Sequence, residues 1–310
     1  MIKRLKEKGI LGINMRNAEY IFKYNPRRLF PLVDDKLLTK QLAKSNGIAV
    51  PQLYGVLEMA GQVRDLQELL EQHTAFVVKP AHGSGGQGIL VISERLNGSF
   101  RKQDGLLITV DELKYHMFNI LSGLYSLGGQ PDMAMIEYKV IFDPIFESVS
   151  YQGVPDIRII VFLGVPVMSM VRLPTRRSNG KANLHQGAIG AGIDLGTGTT
   201  LSGVMGNDIV TEHPETLKSF AGLQIPCWND LLQLASRCYN LTGLGYLGVD
   251  IVLDKVKGPL LLELNARPGL NIQIANMAGL LPRLNLVEEE HESLSSVQDR
   301  VGFAKDNFAM

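Results

Sequence analysis

Apolar residues along this chain fall into two patterns, and each predicts a different kind of element. Helical spacing appears over Lys36–Ser45, where Leu37, Leu38, Leu42 and Ala43 form one stripe. Asp34 or Asp35 stands at the N-cap and Asn46-Gly47 at the stop. Further helices are predicted over Val63–Gln72, Thr109–Leu127 and Trp228–Leu241, the second with Asp111 and Glu112 at its positive end. Short apolar runs bounded by turn residues predict strands at 75–79, 89–93, 134–140, 156–163, 165–173, 248–254 and 260–264. The stretch from Glu288 is polar and reads as a frayed tail. Short antiparallel strands with helices grouped between them predict an α+β fold rather than a doubly wound parallel sheet.

Composition narrows the classes. The chain has 310 residues, 45% of them hydrophobic, which is enough for a large core or two smaller ones. With 31 basic and 31 acidic residues the formal charge is zero, so no global field draws it to nucleic acid or a membrane. There is no basic stripe with an aromatic platform, and no apolar run long enough to span a bilayer. Two cysteines, Cys227 and Cys238, make neither a disulfide framework nor a four-ligand metal site and read as buried free thiols. A cytoplasmic protein is the expectation.

Gly83-Ser84-Gly85-Gly86-Gln87-Gly88 has the spacing of a dinucleotide fingerprint, but that motif requires a following helix to meet the pyrophosphate. Here the β-type run Ile89-Leu90-Val91-Ile92 follows instead, and no Lys-Ser or Lys-Thr completes a Walker loop. What remains is strand, glycine loop, strand, with Lys79 at the end of the first strand. Such a loop folds closely over phosphates and offers bare N–H donors.

The segment 248–270 holds the second cluster. A hairpin symmetric about Val256 and Lys257 places Asp250 opposite Glu263, with Asn265 on the same face. Two facing acids repel, and hard oxygen ligands of this kind suit Mg²⁺. A one-residue bulge would turn Asp250 to the other face.

Taken in order, DDKLLTKQLAKSNGIAVP, FVVKPAHGSGGQGI, IEYK, DIRIIVFLGVPVMSMVRLP, KANLHQG and GVDIVL…GPLLLELNARPGL resemble the ATP-grasp superfamily. The resemblance is to its α-L-glutamate ligase branch, while Gly187–Trp228, with Gly190-Ala191-Gly192-Ile193-Asp194 and Glu212-His213-Pro214, resembles a sugar-transfer-associated subgroup. It implies two α+β lobes whose antiparallel sheets sandwich the nucleotide, with a lead segment 1–35 in place of the further domain that relatives carry. The remaining divisions implied are 36–140 with the glycine loop and hinge, 141–287 with the metal site, and a tail 288–310. The resemblance assigns Lys36, Lys79, Gly85, Gly86, Gly88, Glu137, Tyr138, Lys139, Val140 and Asp156 to nucleotide contacts. It assigns Arg172, Lys181 and Asn183 to the triphosphate, and Asp250, Glu263 and Asn265 to one or two Mg²⁺ or Mn²⁺. Arg267 is a candidate grip for a substrate carboxylate. His82 and His185 are tempting bases, although loop histidines are more often polar fillers, and Asp143 and Glu147 are candidates to reach the ribose. The implied reaction is ATP-dependent ligation of a small-molecule or peptide carboxylate to an amine through an acyl phosphate. Two other readings use the same residues: a small-molecule kinase, and an ATP-binding module without chemistry.

Overall fold

The computed structural model describes residues 7–66, 70, 72–83 and 85–310. The chain divides into two compact units: residues 1–34, 38–49 and 142–310 form one, and residues 35–37 and 50–141 the other. Each is built on one antiparallel sheet.

The smaller unit has six strands in the order β1-β6-β2-β3-β4-β5: Leu53–Leu57, Ala134–Tyr138, Phe76–Pro80, Leu90–Leu96, Ser99–Lys102 and Leu107–Thr109. Residues Val110–Leu121 form a helix that lays Leu113, Met117 and Ile120, all fully buried, onto Phe76, Val78, Ile92, Phe100 and Ile136. Thr109 and Glu112 make its capping box, Glu112 N–H donating to Thr109 Oγ1 at 3.2 Å and Thr109 N–H to Glu112 Oε2 at 2.7 Å. The helix stops short of the Leu127 expected from its pattern. Gly123 there takes φ +83°, and a side chain would run into the Gln130 carbonyl. In the region predicted helical over 63–72, a 3-10 helix covers Ala60–Asp65, while residues 67–69 and 71 lie outside the described set.

The larger unit has seven strands in the order β11-β10-β9-β8-β7-β12-β13. In chain order these are β7 Asp156–Phe162, β8 Val165–Leu173, β9 Ile189–Ile193, β10 Thr200–Met205, β11 Asp208–Val210, β12 Tyr246–Asp254 and β13 Gly258–Asn265. All nine residues of β12 are buried, which explains its unbroken apolar character around Asp250. The helix Lys36–Ser45 has the bounds its pattern predicts, and Asp35 Oδ1 caps it by accepting from Leu37 N–H at 2.8 Å. The helix Trp228–Thr242 buries Leu231, Leu232, Ala235 and Cys238. The stretch from Glu288 is not frayed. Helices Leu281–Glu290 and Val297–Phe308 cover most of it, and Val301, Ala304 and Phe308 are buried. The last helix has a Ser296–Asp299 capping box and packs on β8, contacts that a polar composition conceals.

Cys227 is exposed at the N-cap of Trp228–Thr242, whereas Cys238 is buried in it with its thiol against Leu234 O. Burial pushes the Cys238 thiol up to about 12. A colorimetric thiol reagent is therefore expected to titrate one cysteine in the native protein and two in denaturant. Two fast thiols in the native protein would contradict this packing. Among the described residues no helix is long and apolar enough to cross a membrane.

Candidate nucleotide and metal site

In the six-stranded unit, β2 and β3 form the hairpin that the glycine loop joins, with Phe76 opposite Ile92. A strand does follow the loop, so the dinucleotide reading fails on structure as it does on sequence. Gly85, Gly86 and Gly88 all have positive φ, at +62°, +74° and +72°, which L residues rarely adopt. Both roots of the loop are tied down. Lys36 Nζ donates to Gly83 O, and Gly83 bridges to Ser126. At the other root His116 Nε2 lies 2.9 Å from Gly88 O, and a side chain on Gly88 would meet the Tyr125 ring at 2.6 Å. Burial holds the His116 imidazole below its usual range, and Nε2 donates to that carbonyl.

Lys79 and Glu137 come from neighbouring strands and form an ion pair of 2.6 Å, with side chains only 6% and 3% exposed. The sequence reading named both residues without pairing them. Tyr138 N–H donates to Gln52 O at 2.8 Å, Val140 is buried, and burial lowers the pKa of the half-buried Lys139. His82 precedes the loop. Its Nδ1 lies 2.7 Å from the buried Asp132 carboxylate, which also accepts the His82 backbone N–H.

In the seven-stranded unit, four strands bring one charged row together. Arg172 on β8 stands opposite Asp156 on β7, and Arg158 on β7 opposite Asp250 on β12. Asp250 stands opposite Glu263 on β13, and Gly248 opposite Asn265. Asp156 and Arg158 share a face because they are two residues apart. Arg158 grips Asp250 in a fork, Nε to Oδ1 at 2.7 Å and Nη2 to Oδ2 at 2.6 Å. Arg172 is shared between the two aspartates. It pairs with Asp156 through Nε and, at 2.6 Å, through Nη2, and it reaches Asp250 Oδ2 at 2.7 Å.

The row's electrostatics follow from burial. Desolvation pushes the Asp156 carboxyl up to about 6 against the pull of Arg172, and Asp250 adds to the rise. Desolvation acts on Asp250 in the same sense, but Arg158 and Arg172 together outweigh it and hold that carboxyl well below the usual range. Burial alone would favour a neutral Arg172; Asp156 and Asp250 more than offset it and raise its pKa.

Asn265 Nδ2 lies 3.4 Å from both Asp250 Oδ2 and Glu263 Oε1. Those hydrogen bonds are long, and they draw three oxygen-bearing side chains toward one point. An amide flip turns the Asn265 oxygen toward the same point. Two carboxylates and an amide oxygen are the hard donor set that Mg²⁺ takes, and the residues fit that ion. The set contains only two acids, and among the described residues no group of three His, Cys, Asp or Glu is placed to hold a metal. Asp250 already accepts three bonds from arginines, which leaves Glu263 and Asn265, both partly exposed, as the accessible donors.

Lys181, Asn183 and Arg267 do not join this row through a hydrogen bond or ion pair among the described residues. Asn183 caps a turn, its Oδ1 accepting from His185 N–H at 3.0 Å. Arg267 is 58% exposed, lies over the Phe30 ring at 5.0 Å and stands 3.8 Å from Asp34. Arg158 was given no role in the sequence reading. Its signal was available in the Asp156-x-Arg158 spacing, which puts both side chains on one face.

The model of the sugar-transfer associated ATP-grasp family matches residues 15–289, and the chain belongs to that family. Its two antiparallel sheets with flanking helices are the α+β ATP-grasp fold. No curated protein matches the chain. Among solved structures, the ATP-grasp ligase PsnB complexed with minimal precursor is 13% identical with a TM-score of 0.46, over 90% of this chain and 62% of that one. The chain thus spans less than two thirds of PsnB. A D-alanine–D-alanine ligase from Bacillus anthracis complexed with ATP is 15% identical with a TM-score of 0.46, over 89% of this chain and 67% of that one. The D-cycloserine synthetase DcsG gives 15% and 0.46, over 90% and 80%. Similarity at this level assigns no activity.

Proposed function

We propose that this protein is a Mg-ATP-dependent ligase that joins a carboxylate to an amine through an acyl phosphate. One observation carries the reading: the row Asp156, Arg158, Arg172, Asp250, Glu263 and Asn265, brought together across four strands that are mostly apolar. A purely structural sheet gains little from five buried or half-buried charges, because an apolar replacement of similar volume is often as stable.

The roles follow from placement. In the smaller unit, Lys36, Lys79 and the N–H groups of Gly85, Gly86 and Gly88 bind the nucleotide phosphates, and the backbone at Glu137–Val140 takes the adenine edge. In the larger unit, Glu263 and Asn265, with Asp250 behind them, would hold the ion, which would supply counter-charge to the phosphates. Arg158 and Arg172 keep Asp250 ionised and aimed, and Asp156 fixes Arg172 in turn. Lys181 and Asn183 act on the triphosphate. The substrate carboxylate oxygen attacks the γ-phosphorus and ADP leaves. The amine then attacks the acyl carbon, phosphate leaves, and the amine surrenders a proton. Most of the catalysis is positioning and charge stabilisation. A glutamate-type carboxylate is the substrate class the family resemblance favours, and two free cysteines suit a reducing, cytoplasmic compartment.

Nucleotide binding tests this. At a hundredfold excess over Kd, Mg-ADP should stabilise the wild type by about 2.7 kcal/mol. Glu263→Ala should lose the Mg²⁺-dependent part of the thermal shift while keeping its circular dichroism spectrum. An unchanged Mg-dependent shift in Glu263→Ala would sink the metal assignment, and no shift with any nucleotide would sink the ligase reading.

A further inference from the structure

The β12–β13 ladder runs as far as Gly248 opposite Asn265, and the chain continues past that rung through Ala266, Arg267 and Pro268. Two polar side chains from the lead segment, Asn25 and Arg16, hold this stretch in place, and both are buried.

Asn25 extends the ladder. Its Nδ2 donates to Ala266 O at 3.0 Å and to Tyr246 O at 2.7 Å, and its Oδ1 accepts from Tyr246 N–H at 2.8 Å. One amide thus bridges the two strand ends, with both of its polar atoms committed to backbone groups. The residue before it is seated as firmly. Tyr24 O accepts from Gly245 N–H at 2.9 Å, and a side chain on Gly245 would meet Tyr24 Cβ at 2.8 Å. The Tyr24 ring stands edge-on to Phe162 of β7, with centroids 5.0 Å apart.

Arg16 takes the next carbonyl but one. Its Nη1 donates to Pro268 O at 2.7 Å, while Nε and Nη2 donate to Asn17 Oδ1 at 3.0 and 2.8 Å. Pro268 is pressed down on the far side, where a side chain on Gly248 would meet its Cβ at 2.6 Å. Among the described residues Arg16 pairs with no carboxylate. Burial lowers its pKa, and Arg267 acts in the same sense. A buried guanidinium without a counter-charge is a costly tie for a loop, so its use points to placement rather than to stability.

The placement concerns Asn265. Glu263 sits inside the paired strand, but Asn265 occupies the last rung, where a ladder frays most easily. Holding the carbonyls of Ala266 and Pro268 fixes the backbone that leaves Asn265, and with it the direction of that side chain. We infer that Arg16 and Asn25 are positioning residues for the divalent ion: by clamping residues 266–268 they aim the Asn265 amide at the point it shares with Glu263 and Asp250. The lead segment is then part of the metal site without touching the ion. The inference rests on the reading of Glu263 and Asn265 as ion donors.

The experiment is equilibrium dialysis of ADP against the full chain at stepped free Mg²⁺, the readout being the Mg²⁺ concentration that gives half-maximal binding. Circular dichroism confirms that each variant is native at the dialysis temperature, so lost stability alone does not move the midpoint. Asn25→Ala and Arg16→Ala should each raise it about tenfold or more, the range for residues that orient metal ligands. Arg16→Lys, which keeps a donor for Pro268 O, should recover most of that loss. Val301→Ala, a core truncation in the last helix, should keep the wild-type midpoint. Asn25→Ala/Asn265→Ala should need no more Mg²⁺ than Asn265→Ala alone, because Asn25 acts through Asn265. If Asn25→Ala does not fold, the two Arg16 variants carry the test. Wild-type midpoints in the native Ala variants, or a further loss in the double variant, overturn the inference and leave the ion donors standing. Binding that ignores Mg²⁺ in the wild type overturns the donors themselves, and the inference with them.

Discussion

Replacing Arg172 with Met is expected to destabilise the protein by about 3–5 kcal/mol, the range for removing one partner of a buried ion pair. Arg172 is only 11% exposed and is the cation that Asp156 shares with Asp250. Without it, Asp250 keeps Arg158, but Asp156 is left buried with no cation bonded to it and a second carboxylate nearby. The measurement is urea unfolding, read as a fall in midpoint at constant slope. Arg172→Met/Asp156→Leu should recover much of the loss, since replacing both partners removes the stranded charge. A single variant within about 1 kcal/mol of wild type would mean that the row is not held as a unit.

The second large effect is expected at Lys79. Lys79→Met leaves the Glu137 carboxylate, 3% exposed, without the ammonium 2.6 Å away, and should also cost about 3–5 kcal/mol. Lys79→Met/Glu137→Met should regain stability. It should not regain nucleotide: if Lys79 meets the phosphates, the Mg-ADP shift stays lost in the stable double variant. A double variant that is both stable and fully nucleotide-responsive would confine Lys79 to a structural role. The comparison separates fold from function at a residue whose burial makes the single substitution ambiguous.

The hairpin of β12 and β13 shows how far alternation carries and where it stops. A turn symmetric about Val256 and Lys257 puts Asp250 opposite Glu263, and the structure has that pair. It arrives there differently. Near the turn Asp254 pairs with Gly258 and Leu253 with Pro259, one residue off the symmetric register. A bulge between Asp250 and Ile251 then restores the facing. Two deviations cancel, and no local pattern revealed either of them. The neighbouring pair shows the same effect: β7 and β8 shift register between Ile160 and Val161, and Arg172 comes to lie opposite Asp156 on the face of Arg158.

What the sequence determined alone is local. The helix Lys36–Ser45, the strand-loop-strand around the glycines, and the apolar runs flanking Asp250 and Glu263 all follow from periods of 3.6 and 2 and from turn chemistry within a few residues. Ordered motifs also pointed to the family. Tertiary structure decided which charges meet. Arg158 reaches Asp250 across 92 positions, and Lys79 meets Glu137 only because β2 lies beside β6. Alternation says which face of a strand a charge occupies, but not which strand lies beside it. That choice is made by the packing of apolar faces over the whole unit, and it alone turned scattered acids and arginines into a row.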